Sequence, residues 1–137
     1  MSIRVDRQIT IALENEPGQL ARVSELLATH RINIEAISIL DSIEQGVIRL
    51  LVSDPPTCLQ LLRKQGFYVI EGEVVVLDVQ DRVGKLAQIC GDLAEARINI
   101  DYVYGSVEHP GAPMRMVLKT SDIVRTRQIL ETRGAQA

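Results

Sequence analysis

The most constraining feature of this 137-residue sequence is that it repeats itself. Residues 18–35 read GQLARVSELLATHRINIE and residues 84–101 read GKLAQICGDLAEARINID, at a constant offset of 66. Nine of these 18 positions are identical: Gly18, Leu20, Ala21, Leu27, Ala28, Arg31, Ile32, Asn33 and Ile34 with their partners. By Gly66 and Gly134 the offset has grown to 68, so the second copy gains two residues near Glu108 to Pro113. A duplicated chain folds as two similar units, and the boundaries fall at 1–71 and 72–137.

Each copy carries the same order of elements. Ile9 to Leu13 is rich in β-branched residues and predicts a strand. Leu20, Val23 and Leu27 then form the apolar stripe of a helix from about Gly18 to Thr29, repeated as Leu86, Ile89 and Leu93. Ile32 to Leu40 predicts a second strand, Asp41 to Gly46 a turn, and Val47 to Ser53 a third strand. Asp54-Pro55 is a cap followed by a proline at the first helical position, and the helix it opens runs to Gln65, before Gly66. Phe67 to Ile70 is a fourth strand, and the second copy starts again at Val74 to Val79. The order is βαββαβ, with the helices on one face of an antiparallel sheet.

Two expectations follow from this layout. Val47 to Val52 (apart from Arg49) and Val74 to Leu77 barely alternate, so both faces of those strands must be covered. A second subunit is the simplest cover, which predicts a homodimer. Only Ala135-Gln136-Ala137 follow Gly134, so the second unit lacks its last strand and the edge near Val74 to Val79 needs a cover. The N-terminal stretch, where Ile3 and Val5 alternate with polar residues, is one candidate and another chain is the other.

Composition removes several functional classes. The net charge is −3 and aromatic residues are 3% of the chain, with no Trp. Such a surface neither neutralises a phosphate backbone nor stacks bases, which argues against nucleic acid as a partner. No apolar run approaches the roughly 20 residues that span a bilayer, and Met1 to Asp6 lacks a signal-peptide core, so no membrane is expected and a cytoplasmic location is. Cys58 and Cys90 have no metal or redox spacing and read as core fillers. His30 and His109 stand alone. With no nucleophile–base pair and no ligand cluster, the expectation is a protein with no catalytic residue, no metal and no cofactor.

The stretch that could hold a ligand is the corner between the first strand and the first helix. Glu14-Asn15-Glu16-Pro17-Gly18-Gln19-Leu20 is matched by Gln80-Asp81-Arg82-Val83-Gly84-Lys85-Leu86. Free N–H groups of a first helical turn attract an anion. A glycine lets a ligand approach the backbone, and Asn15 or Asp81 could accept from an ammonium group. That combination suits an amino-acid headgroup. The same residues also read as ordinary N-caps beside a tight turn, and spacing alone leaves both readings open. Lys85 could assist a carboxylate where Gln19 cannot do so by charge, so two such sites would differ in affinity. Asn33 and Asn99, each between two isoleucines, either reach a ligand or interface or simply close the helix-to-strand turn.

The run from Ile9 through Ile39, with Glu14-Asn15-Glu16-Pro17-Gly18 and Arg31-Ile32-Asn33-Ile34, resembles an ACT domain, a small amino-acid-sensing module, and the second copy resembles another. The first copy is similar to the start of acetolactate synthase regulatory subunits and to the serine-sensing domain of phosphoglycerate dehydrogenase. The resemblance implies two tandem ferredoxin-like α+β units, with ligand held between ACT units by the first loop and the following strand. Carried over by position, Asn15, Gly18, Asp81 and Gly84 fall on the loop, with Gln19, Leu20, Lys85 and Leu86 beside them, and Asn33 and Asn99 fall on the strand. Three departures stand out. Val83 replaces the loop proline, and Leu13 stands where the serine-sensing domain has histidine. Arg31 and Arg97 stand where relatives often have glycine, at a cost of about 1 kcal/mol each if φ is positive.

The function this implies is a non-catalytic sensor of a small amino acid or related metabolite, acting on an enzyme carried by another polypeptide. The alternative is a regulatory subunit that docks on an amino-acid-biosynthetic enzyme without a ligand site of its own.

Overall fold

The computed structural model describes residues 1–14, 16–41, 45–107 and 109–134. Among them are β1 (Ser2–Glu14), α1 (Gln19–Thr29), β2 (Ile34–Asp41), β3 (Gln45–Val52), α2 (Pro55–Lys64), β4 (Tyr68–Gln80), α3 (Lys85–Glu95), β5 (Ile100–Ser106), β6 (Pro113–Thr120) and α4 (Ile123–Gly134). The strands and helices expected from the repeat are all present. The difference lies in β4: the fourth strand of the first copy and the first strand of the second are one 13-residue strand running through Gly72.

Arg7–Gly72 forms one compact unit. Its strands lie in the order β2-β3-β1-β4. β1 pairs antiparallel with β3 (Ile9 opposite Leu50) and β3 with β2 (Ile48 opposite Ile39). Alternate residues Ile9, Ile11 and Leu13 of β1 and Ile48, Leu50 and Val52 of β3 point to one face. There they meet Val23 and Leu27 of α1 and Cys58 and Leu62 of α2 in a single core. Two strand faces of period two and two helical stripes thus bury one another, as the sequence pattern requires.

Met1–Asp6 and Glu73–Ala137 form the other unit. The sequence boundary had placed residues 1–6 with the first copy, but their packing groups them with the second. Its strand order is β1-β4-β6-β5, with Val75 opposite Leu118 and Val103 also opposite Leu118. Val75, Leu77 and Val79, with Met116 and Leu118, pack on Ile89 and Leu93 of α3 and Leu130 of α4, and Ile3 packs against this core. The open edge left after α4 is therefore covered by Ser2–Asp6, the first of the two candidates named above. Asp78 fixes the neighbouring strands by charge: Arg115 Nε donates to its Oδ1 at 2.9 Å, and Arg4 Nη1 lies 3.8 Å from its Oδ2. These groups are partly exposed, so each pair contributes at most about 1 kcal/mol.

Val74 to Leu77 are 0–1% exposed within a single chain. The apolar run that had suggested a second subunit is thus already covered, and it no longer argues for a dimer. The exposed apolar side chains lie elsewhere, notably Ile37, Ile39 and Leu40 on β2, at the edge of its unit.

The helix ends explain the two arginines. Ile32 N–H donates to Leu27 O (2.9 Å) and Arg31 N–H to Ala28 O (3.0 Å), while Ile98 and Arg97 repeat both bonds to Leu93 and Ala94. This double closure requires a left-handed residue, and Arg31 (φ 57°) and Arg97 (φ 61°) supply it against their preference. Gly66 does the same after α2 without that strain.

Arg31→Gly and Arg97→Gly are each expected to stabilise their unit by about 1 kcal/mol, read as a higher denaturant midpoint. Deleting Ser2–Asp6 is expected to speed amide exchange at residues 73–80 and to promote association through the uncovered edge.

Candidate functional site

The four helices open in two different ways. α2 and α4 are capped by aspartate: Asp54 Oδ1 accepts from Thr57 N–H (3.3 Å) and Asp122 Oδ1 from Arg125 N–H (3.0 Å). α1 and α3 open instead on Gly18 (φ 89°, ψ −4°) and Gly84 (φ 90°, ψ −5°), and among the described residues no side chain caps either one. Asp81 therefore does not cap α3, while aspartate caps the second helix of each unit. The near-identical angles also show that Arg82-Val83 reaches the same turn as Glu16-Pro17, so the loop proline is not needed for its shape.

These uncapped ends have room around them. A Cβ built on Gly18 or Gly84 would meet nothing within 4 Å, so the glycines answer the backbone angle and leave open space beside it. Leu20 is 40% and Leu86 44% exposed, so each corner sets an apolar side chain in solvent beside its first helical turn, where Lys85 N–H donates to Arg82 O at 3.2 Å. Lys85 is only 5% exposed, whereas Gln19 in the same place is half-buried. A cation at the positive end of a helix is unfavourable unless an anion joins it. Asp81 is exposed. Asn15 lies outside the described residues.

The two asparagines sit apart from these corners. Asn33 N–H donates to Ser53 Oγ (2.9 Å) while Ser53 N–H donates to Asn33 O (3.0 Å), and Asn99 and Ser121 repeat the exchange at 3.0 and 2.9 Å. It is therefore the backbone of each asparagine, not its amide, that closes the turn. Both side chains are exposed, and Asn99 Nδ2 donates to Asp101 Oδ1 at 2.9 Å. The sheet register places Asn33 level with the far end of β3, while Gly18 follows the end of β1 that pairs with Gly46. The 11 residues of α1, about 16 Å, separate them. Within one unit Gly18, Gln19 and Leu20 come together, as do Gly84, Lys85 and Leu86, but neither asparagine joins its own corner. Ser53 and Ser121 were not singled out from the sequence. Their shared offset of 68, the same as Gly66 to Gly134, was the available signal.

Asp78 is paired with Arg115 at 2.9 Å. His30 Nδ1 lies 3.0 Å from Leu26 O at the end of α1, and His109 Nδ1 3.1 Å from Pro110 O. Tyr68 on β4 is an exposed strand aromatic. Among the described residues no group of three His, Cys, Asp or Glu is placed to hold a metal ion, and no helix is long and apolar enough to cross a membrane.

The family model for an ACT domain pair matches residues 2–135. The chain belongs to that family. ACT domains are regulatory, non-catalytic modules, and the tandem α+β architecture described above is theirs. The structure is similar to protein BT0572 from Bacteroides thetaiotaomicron, with 29% identity and a TM-score of 0.90 over 96% of this chain and 90% of that one. It shares its fold with the ligand-free regulatory subunit of aspartate kinase from Thermus thermophilus (15% identity, TM-score 0.69, 96% of each chain). Aspartokinase alpha and beta subunits match similarly (18% identity, TM-score 0.66, 96% of each chain). No curated protein sequence matches this ACT pair.

Cys58 is fully buried in the core of its unit, and burial, with the Asp54 charge second, pushes its thiol from 9.0 up to about 11. A raised thiol pKa means stability that is complete below pH 9.0 and is lost as pH climbs toward about 11. Labelling the native protein with a thiol reagent at pH 8 is expected to modify the half-buried Cys90 first and Cys58 only on unfolding.

Proposed function

We propose that this ACT pair senses a small amino acid at its strand-to-helix corners and passes the occupancy to a separate enzyme of amino-acid metabolism. The observation that carries this reading is the twin corner: a left-handed glycine, an uncapped helix and an exposed leucine, kept in both copies although the loops differ. In this reading the carboxylate takes first-turn N–H groups at Gln19 and Leu20 or at Leu86, since Lys85 N–H already donates to Arg82 O, and Asn15 or Asp81 accepts from the ammonium. Gln19 and Lys85 set different affinities for the two corners. Asn33 and Asn99 take no part in their own corners, because each lies a helix length away.

Ligand shifts an equilibrium only through unequal affinity for its two states. A homodimer through the β2 edge, where Ile37, Ile39 and Leu40 are exposed, would supply one of those states. The likeness to an aspartate-kinase regulatory subunit supports an enzyme as the recipient. The same exposed edge favours the second reading, a subunit that docks on an enzyme without binding a ligand.

A thermal-shift screen against the proteinogenic amino acids, with light scattering for mass, separates the two. A ligand at 100 times its Kd adds about 2.7 kcal/mol, which moves the midpoint by several degrees. The shift is expected for one amino acid or a few related ones, and to shrink in Asn15→Ala and Asp81→Ala with the fold retained. No shift from any of them would overturn the sensor and leave the docking subunit.

A further inference from the structure

The seam between the two helices differs sharply between the copies. In the unit with residues 73–134, Arg133 on α4 reaches across to α3, its Nη1 2.7 Å from Glu95 Oε2 and 3.5 Å from Asp92 Oδ1, and the ion pairs close the seam. The repeat places Thr29, Leu26 and Gln65 where Glu95, Asp92 and Arg133 stand, so the Arg7–Gly72 unit has none of these charges to close its own seam. A cavity of about 240 Å³ opens there, lined by Arg22, Glu25, Leu26, Thr29, Gln65 and Phe67.

Its lining is arranged for one kind of occupant. The Arg22 guanidinium lies 4.8 Å above the centre of the Phe67 ring. That cation–π contact holds the charge over the ring, where a guanidinium can still donate N–H groups to a carboxylate. Glu25 lies three residues along the same helix, close enough to pair with Arg22, yet neither forms an ion pair among the described residues. The Thr29 hydroxyl is already donated to Glu25 O at 2.9 Å. Leu26 and Phe67, both half-buried, make an apolar floor between the two charges. The volume corresponds to about eight waters at roughly 30 Å³ each, the size of one small metabolite.

We propose that this seam is a second small-molecule site, distinct from the corners, that takes an α-amino acid with an apolar side chain. Arg22 holds its carboxylate, Glu25 its ammonium, and Leu26 and Phe67 its side chain. The copy with Arg133, Asp92 and Glu95 has no such site, because its own ion pairs occupy the place.

Titrating the ¹⁵N-labelled protein with L-leucine, L-phenylalanine, N-acetyl-L-leucine and L-leucinamide tests this by amide shifts. The expected result is saturable shifts at residues 22–29 and 65–67 with the free amino acids. Removing either ligand charge, or substituting Arg22→Gln or Glu25→Gln, should weaken them roughly tenfold or more, at about 1.4 kcal/mol per factor of ten. The triple variant Leu26→Asp, Thr29→Glu, Gln65→Arg transfers the other copy's ion pairs into the seam. It should abolish the shifts while the spectrum stays dispersed, and Leu20→Asp at the corner should leave them intact. Absence of saturable shifts with all four probes would overturn the proposal, as would shifts that survive the triple variant. Shifts confined to residues 16–20 would overturn it too, while leaving the corner reading standing.

Discussion

The pairing of Ser2–Asp6 alongside β4 is the constraint on which the rest of the C-terminal unit depends. Without it β4 would present unpaired N–H and C=O groups at an apolar, buried strand, the most aggregation-prone edge a sheet can offer. The same requirement accounts for the length of β1 and β4. Each is 13 residues because it serves as the first strand of one unit and the last strand of the other. β1 meets both demands with period two, burying Ile9, Ile11 and Leu13 in one core while Ile3 packs against the other. Charge adds to the register: Arg4, Asp78 and Arg115 lie on three neighbouring strands, so a slip would pull the opposite charges apart.

The helices divide in a way that bears on function. Four N-termini could all be satisfied by Asp or Asn caps, and in each unit the second helix is. Among the described residues the first helix of each has no side-chain cap and opens on a glycine in the left-handed region with open space beside its Cα. A glycine at this place costs only a few tenths of a kcal/mol relative to a polar cap, and its left-handed angle is one that Ser or Asp would adopt only under strain. The C-termini reverse the pattern: there α1 and α3 carry the strained Arg31 and Arg97, while Gly66 relieves α2.

Much of this fold was legible because duplication doubles every signal. The helical stripes, the Asp54 cap with Pro55 and the Gly66 stop all rest on local rules of spacing, and each occurs where those rules put it. Three things were not local. That residues 2–6 belong with the second copy depends on which strand edge they reach, which no window of sequence contains. That Val74 to Leu77 are covered within one chain is likewise a matter of tertiary packing, so the sequence pattern could only say that a cover was needed. The asparagines show the third limit. Asn33 and Gly18 share a motif in the sequence, but α1 runs its full length between them, so closeness in sequence pattern did not become closeness in space.

The two copies keep a common backbone and differ mainly in charge and polarity, and that difference argues against two equal sites. Lys85 replaces Gln19 at the corner, and Arg133, Asp92 and Glu95 replace Gln65, Leu26 and Thr29 at the seam. In the cores, the buried Thr120–Thr126 hydrogen bond of 2.7 Å replaces Val52 and Cys58. The core exchange is a change made in pairs, with both partners polar or both not, as burial demands. The corner exchange is unpaired: Lys85 has no carboxylate partner among the described residues to match the charge gained. A lone cation at a helix N-terminus lowers the stability of the empty protein and raises its affinity for an anion by the same interaction. A tenfold difference between the corners requires only about 1.4 kcal/mol, within the reach of one partly shielded charge. In the sensor reading, a pair built this way fills its lysine-bearing corner first and its glutamine-bearing corner later. It would then respond over a wider range of ligand concentration than two identical sites.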